Sequence, residues 1–312
     1  MYQPSSDGLN AQNEHSASRW PGILFILTSG CCWGFHGILI KYALGLGASF
    51  LQVFLFETVF ATLFFSLFAS RFFRKVRPRS RKEWLLLSTM GVTTIGVGYF
   101  LFLAFSLGPV AIGATLMFMY LPVVYGYSLI ARHQKFSVVK LLAICLVLGG
   151  ATLTTEIHSS LQDSGTVPAA LAALAASMCY ALVFILTPSV ARYTSAEFRS
   201  FAASSIGLIG TLIILACAPK LWFPLTENLL PLFGMALVLG AIGQTLPVIT
   251  LMKGLPLTGS SLGGVLASIE LPIAVFASAL LLGESFNLGK VVGVALVLSG
   301  ILLYNLVDTR TT

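Results

Sequence analysis

Residues 258–303 read TGSSLGGVLASIELPIAVFASALLLGESFNLGKVVGVALVLSGILL, and residues 108–153 read GPVAIGATLMFMYLPVVYGYSLIARHQKFSVVKLLAICLVLGGATL. At a shift of 150, without a gap, Gly113, Leu116, Leu121, Pro122, Ser128 and Phe136 recur as Gly263, Leu266, Leu271, Pro272, Ser278 and Phe286. Lys140, Leu146, Val147, Leu148, Gly150 and Leu153 recur as Lys290, Leu296, Val297, Leu298, Gly300 and Leu303. Earlier in each copy, Cys32-Trp33 is echoed by Cys179-Tyr180 at a shift of 147. The chain is therefore a duplicated unit, and the matched prolines argue against a chance likeness between two apolar runs.

Outward from these stretches the chain divides into ten apolar segments: 22–42, 48–70, 84–105, 110–131, 137–155, 168–190, 197–217, 229–252, 258–281 and 287–306. Most last about 20 residues, the length an α-helix needs to cross the ~30 Å hydrocarbon layer. They lack two-residue alternation, and a helix satisfies its own backbone polar groups where lipid cannot. The expected fold is an all-α integral membrane protein of ten transmembrane helices. A loose cytoplasmic tail over 1–19 precedes two five-helix repeats, 20–155 and 165–307. Five is odd, so the second copy enters the membrane from the opposite face. Such inverted repeats give inward-open and outward-open states of similar energy.

Of the 312 residues, 57% are hydrophobic and 9% charged, against about 25% charged in soluble chains. A net charge of +7 could suggest nucleic acid, but the charges sit in short gaps between apolar runs, as they do where a membrane protein sets its orientation. With both termini cytoplasmic, 15 of the 18 Lys and Arg fall inside, and only Lys41, Lys220 and Lys290 outside. The run Arg71–Lys82 reads as an anchor at anionic headgroups. The polar first 19 residues and a long first apolar run without a small-x-small cut site do not read as a cleaved signal. Cys31, Cys32, Cys145, Cys179 and Cys217 lie in or beside apolar runs, without zinc-ligand spacing to a histidine. They read as small buried hydrophobes, and no metal or other cofactor is expected.

Leu255–Leu303, with its Gly-Ser-Ser, Leu-Pro, Leu-Leu-Gly-Glu and Gly-x-x-Leu-x-x-x-Gly features, closely resembles the EamA family of the drug/metabolite transporter superfamily. Residues 107–153 resemble the same module less strongly, and Trp33-Gly34 resembles the Trp-Gly of that family's first-helix motif. The resemblance covers nearly the whole chain. It implies ten helices in paired inverted repeats, and export or uptake of metabolites such as amino acids. One departure stands out: many relatives carry an Arg in the middle of the second helix, where this chain reads Phe54-Leu55-Phe56-Glu57-Thr58.

A charge at mid-membrane costs at least about 2.5–3.5 kcal/mol and so faces a cavity or a partner. Only Glu57, in the second segment, and Glu270, in the ninth, are acids deep in a span. Glu270 shares a helical face with Gly263, Ala267, Ala274 and Ser278, small residues that leave room for substrate or water. Pro272, like Pro122 in the first copy, removes a backbone donor, frees a carbonyl and is expected to break its helix. Glu270 is expected to bind a substrate amine, couple protons, or both; a packing glutamate is the plainer alternative. Glu57 sits among bulky neighbours and could pair with a histidine or line an aromatic cavity. His36, one turn beyond Trp33, suits a proton relay or a partner for Glu57. Trp33 and Tyr180 occupy matching places and could stack on a substrate or simply pack. Tyr120 matches Glu270 by repeat position and is expected at the same central cavity; Gln244 is a further polar candidate. Gly30, Gly34, Gly37 and the Gly259–Gly264 segment suit close helix approach. Gly259–Gly264 has no Walker lysine, so ATP-driven transport by this chain alone is disfavoured.

The expected function is secondary export of a small metabolite, such as an amino acid or related amine or drug, by alternating access at a cell (inner) membrane. The partners are the small-molecule substrate, the lipid bilayer and protons as coupling ion, with no nucleic acid. An intramembrane enzyme would need a His-Glu-x-x-His or a Ser-His pair, which the sequence does not offer. A receptor or scaffold without transport predicts no substrate flux.

Overall fold

The computed structural model describes residues 6–69, 78–108, 110–131, 133–155, 166–217, 229–283 and 287–311. The cations Arg71, Arg74, Lys75, Arg77, Arg132 and Lys220, the acids Glu156, Asp163 and Glu227, and Phe286 lie outside these residues.

The first repeat consists of α1 (Ser6–Gly45), α2 (Phe50–Ala69), α3 (Arg81–Leu107), α4 (Val110–Met117), α5 (Tyr120–Ile130) and α6 (Val138–Thr154). The second consists of α7 (Thr166–Val190), α8 (Ala196–Cys217), α9 (Leu229–Val238), a π-helical turn (Leu239–Thr245), α10 (Leu246–Thr258), α11 (Ser260–Ala267), α12 (Glu270–Leu282) and α13 (Leu288–Thr311). Among the described residues, nine stretches are long and apolar enough to cross a membrane, and the shorter apolar α6 completes ten spans. Arg19, where the first span begins, meets Asp308, where the last one ends, at 2.5 Å. Both ends of the bundle thus lie on one face, as an even number of crossings requires. On that face Tyr193, before α8, donates to the Glu83 carbonyl at the start of α3.

Local chemistry explains several boundaries. Ser80 and Glu83 form a capping box at the start of α3, satisfying two orphan N–H groups reciprocally. Ser137 caps α6 by accepting from the Lys140 N–H, and Asn287, its equivalent at a shift of 150, caps α13 by accepting from the Lys290 N–H. Gly283 ends α12 in the left-handed conformation at φ 66°, which suits glycine. Where a loose tail is expected over 1–19, α1 is helical from Ser6; Pro21 is the first proline inside it, by which point the helix is already running.

The two copies pack about an approximate two-fold axis. Their last helices, α6 and α13, cross where a Cβ on Gly150 would fall 2.5 Å from the Gly293 carbonyl and 2.6 Å from Val297. The symmetric pair is present too: a Cβ on Gly300 would fall 2.6 Å from the Ala143 carbonyl and 2.8 Å from Val147. Positions 143, 147 and 150 thus meet 293, 297 and 300 reciprocally, as two inverted copies must. The same reciprocity governs the first helices: α1 packs on α11 and α12 of the other half, and α7 packs on α4 and α5.

Three spans are not simple helices. The fourth and ninth, in which Pro122 and Pro272 are the expected helix breaks, are each interrupted three to four residues ahead of the proline, between α4 and α5 and between α11 and α12. At the breaks the chain tightens to three-residue bonds: Phe118 N–H to the Thr115 carbonyl and Met119 N–H to Leu116, Ser268 N–H to Val265 and Ile269 N–H to Leu266. Pro122 and Pro272 cannot donate to the carbonyls of Phe118 and Ser268. Leu121 and Leu271 donate there instead, at 3.0 and 3.1 Å. The eighth span widens into the π turn just ahead of Pro247, which likewise cannot donate; there Thr245 Oγ1 donates five residues back, to the Gly240 carbonyl.

Candidate functional site

The small residues of α1 decide what surrounds the second break. A Cβ on Gly30 would run into the Ile269 side chain and fall 2.9 Å from the Ala267 carbonyl, and one on Gly34 would fall 2.9 Å from the Glu270 carbonyl. With no side chain at these positions, α1 lies directly against the break, as small residues permit between membrane helices. Gly37, expected to do the same, has nothing within 4 Å of its Cβ position. This approach brings Trp33 and His36 of α1 to the same cavity as Glu270.

The cavity has a volume of about 240 Å³ and is bounded by α1, α2, α3, α7, α8, the π turn and α10, with the tips of both broken spans. Six of the sequence candidates line it: Trp33, His36, Glu57, Tyr180, Gln244 and Glu270. Trp33 and Tyr180, equivalent in the two repeats, meet edge to face with ring centroids 6.0 Å apart.

Tyr120 does not line the cavity. It is 1% exposed, its hydroxyl donates to the Gly264 carbonyl at 2.7 Å, and its ring stacks on Phe184 at 5.0 Å. Its repeat position matches that of Glu270, but aromatic neighbours close over it. Pro122 and Pro272 are absent from the cavity wall as well; their contribution is the shape of the breaks. The small-residue face around Glu270 is also not continuous, because Gly263 and Ala267 belong to α11 and Glu270 opens α12.

Glu57 is 3% exposed, and its Oε1 lies 2.8 Å from His36 Nε2. The contact is at ion-pair distance but is not aligned as a hydrogen bond. A buried acid demands such a partner. Gly243 in the π turn makes room for it: a Cβ there would stand 2.6 Å from the imidazole and 3.4 Å from Glu57 Oε1. The π turn thus carries Gln244 to the cavity and leaves a gap for the His36–Glu57 pair; π-bulges often sit at functional sites. Glu270 differs in kind. It is half-buried, and among the described residues its carboxylate makes no direct hydrogen bond or ion pair, His36 being the charged group that acts on it through space. It opens α12 at the positive end of that helix, where a carboxylate is favoured.

Buried charge away from the cavity was less visible in the sequence. Lys140, 3% exposed, bonds Asp308 Oδ1 at 2.6 Å and Gln134 at 2.9 Å. Arg199 donates to the carbonyls of Thr194 and Met252, both at 2.6 Å. The Met252 carbonyl is an orphan because Pro256, four residues on, has no N–H to give it. Lys253 and Glu197 pair beside it at 2.9 Å. A sequence sign did exist for Lys140, which lies in the first turn of an apolar helix, but its partner is 168 residues away. Among the described residues no group of three or more His, Cys, Asp and Glu could hold a metal ion.

Comparison with known proteins agrees with this architecture. The sequence pattern of the EamA-like transporter family matches residues 20–155 and again residues 167–306. An uncharacterized inner membrane transporter of Salmonella typhimurium, YicL, is 26% identical over 297 residues, spanning 93% of this chain and 96% of that one. A protein of known crystal structure superposes with a TM-score of 0.76 at 16% identity, over 93% of this chain and 99% of the other. At that identity the likeness speaks for the fold alone.

Proposed function

The chain belongs to the EamA-like transporter family, and on that premise we propose that it is a secondary transporter of the inner membrane, carrying a small metabolite of amino-acid or amine type by alternating access. The observation that carries this reading is Glu270: a carboxylate without an ion-pair partner, at the break of a span, facing a cavity between two inverted repeats. Such a group can hold a proton or a substrate ammonium, but not both at once. Exclusive occupancy makes the exchange an antiport, and an inward proton gradient then drives substrate outward. This argues for export.

His36 and Glu57, 2.8 Å apart, form the second acid–base element of the site. Trp33 and Tyr180, one from each repeat, bring an aromatic surface to the cavity from the two halves that move. The breaks in spans four and nine serve as the flexing points as the halves rock. Both termini are assigned to the cytoplasm, from the distribution of Lys and Arg.

The test is flux in vesicles of purified protein under an imposed pH gradient, with substrates drawn from metabolite profiling of cells with and without the protein. The wild type is expected to accumulate substrate against its gradient, and Glu270→Gln is expected to lose that dependence on the pH gradient. Identical flux from both proteins at every pH would remove Glu270 from the mechanism. Absence of any flux would favour a receptor or scaffold.

A further inference from the structure

The chemistry of the cavity wall narrows the cargo, on the premise that this cavity is the transport site. Three side chains that carry charge near neutral pH line it, Glu57, His36 and Glu270, and no Lys or Arg does among the described residues. Taken with a protonated His36, the wall carries one net negative charge; with a neutral His36 it carries two. These counts hold while Glu270 is free of a proton; when it is protonated the wall is neutral or singly negative, so it is never cationic. The only cationic group, His36, is already committed to Glu57 at 2.8 Å.

Two of the neutral polar groups, Thr58 and Thr94, tilt the same way, while the Gln244 amide offers both donors and an acceptor. Thr58 donates its hydroxyl hydrogen to the Phe54 carbonyl at 2.7 Å, and Thr94 donates to the Met90 carbonyl at 2.8 Å. Both hydroxyls therefore present lone pairs to whatever enters. A carboxylate is acceptor-only, and burying one without a cation or enough donors is costly. An ammonium meets acceptors, a carboxylate without an ion-pair partner, and two aromatic rings able to attract a cation.

Size and apolar surface set the rest. Phe54 and Phe102 line the cavity with ring centroids 4.9 Å apart. A cavity of about 150 Å³ holds benzene, so 240 Å³ holds one ring and a short arm.

We propose that the site takes a monovalent organic ammonium bearing one aromatic or similarly sized apolar ring, and discriminates against the amino-acid zwitterion of the same skeleton. Glu270 receives the ammonium, Trp33 and Tyr180 flank it, and the ring lies toward Phe54 and Phe102. The wall offers no second cation for an α-carboxylate.

The experiment uses three probes that share a phenyl ring on a short arm and differ in charge: 2-phenylethylamine, phenylalanine and phenylacetate. Binding to the purified full-length protein is measured by calorimetry and by thermal shift. The amine is expected to bind at least tenfold more tightly than phenylalanine, with phenylacetate at least another tenfold weaker. In Glu270→Gln the affinity for the amine is expected to fall at least tenfold while phenylacetate gains. Phenylalanine binding as tightly as the amine, or the absence of amine binding to the wild type, overturns the proposal. The wild-type ranking decides even if the variant misfolds. Flux in vesicles separates the two readings: ranked binding without flux leaves the cation site standing and removes the transporter, whereas flux of phenylalanine in preference to the amine does the reverse.

Discussion

The breaks in the fourth and ninth spans share a backbone but not a chemistry. Both tighten into the same pair of three-residue bonds, both restart two residues later, and both carry proline at the third position of the new helix. At the first position of that helix one has Tyr120 and the other Glu270. Tyr120 is sealed among Tyr180 and Phe184, and its hydroxyl bonds the Gly264 carbonyl of α11. It therefore braces the helix that leads to the other break. Glu270 faces the cavity. Duplication preserved the fold of the break, while divergence made one copy structural and left the other free for chemistry.

The largest expected effect tests how unequal the halves are in buried charge. Lys140 is buried on Asp308, while its counterpart Lys290 is half-buried. Asp308→Asn leaves the Lys140 ammonium without its counter-charge and is expected to cost about 3 kcal/mol. Lys290→Met is expected to cost about 1 kcal/mol or less. Thermal unfolding in detergent measures both, and equal losses would erase the distinction.

Next come the two glycines of the α6–α13 crossing. Gly150→Val and Gly300→Val each push a side chain into the opposing backbone and are expected to cost about 2 kcal/mol. The two losses should agree closely, because the contacts are reciprocal. A large disparity in the same unfolding assay would break the two-fold description.

The sharpest functional contrast is between the break residues themselves. Glu270→Gln is expected to lower gradient-driven flux at least tenfold, equivalent to about 1.4 kcal/mol. Tyr120→Phe is expected to leave both flux and its dependence on the pH gradient within about threefold. A Tyr120→Phe protein that lost pH coupling while remaining folded would move the chemistry into the first half.

The smallest expected effect is on stability. Tyr120→Phe removes the bond to the Gly264 carbonyl and is expected to cost about 1 kcal/mol, read as a modest fall in melting temperature. No change at all would mean that Tyr120 does not brace α11.

The sequence by itself determined the ten spans, because crossing lipid imposes a length and an apolar composition that nothing else in a chain mimics. It also determined the duplication, since matched residues such as Pro122 and Pro272 keep their spacing, and it singled out Glu57 and Glu270 because charge in lipid is costly. Only the tertiary structure decided which of these groups share a cavity. The approach of α1 to the second break depends on Gly30 and Gly34 meeting residues some 240 positions away, and the Lys140–Asp308 pair spans 168. Repeat position alone put Tyr120 beside Glu270 at the cavity, but its neighbours turned it into the core. The physical reason is that hydropathy and backbone geometry are local, written in each helix separately, whereas the surroundings of a side chain depend on how helices from both halves rotate against one another.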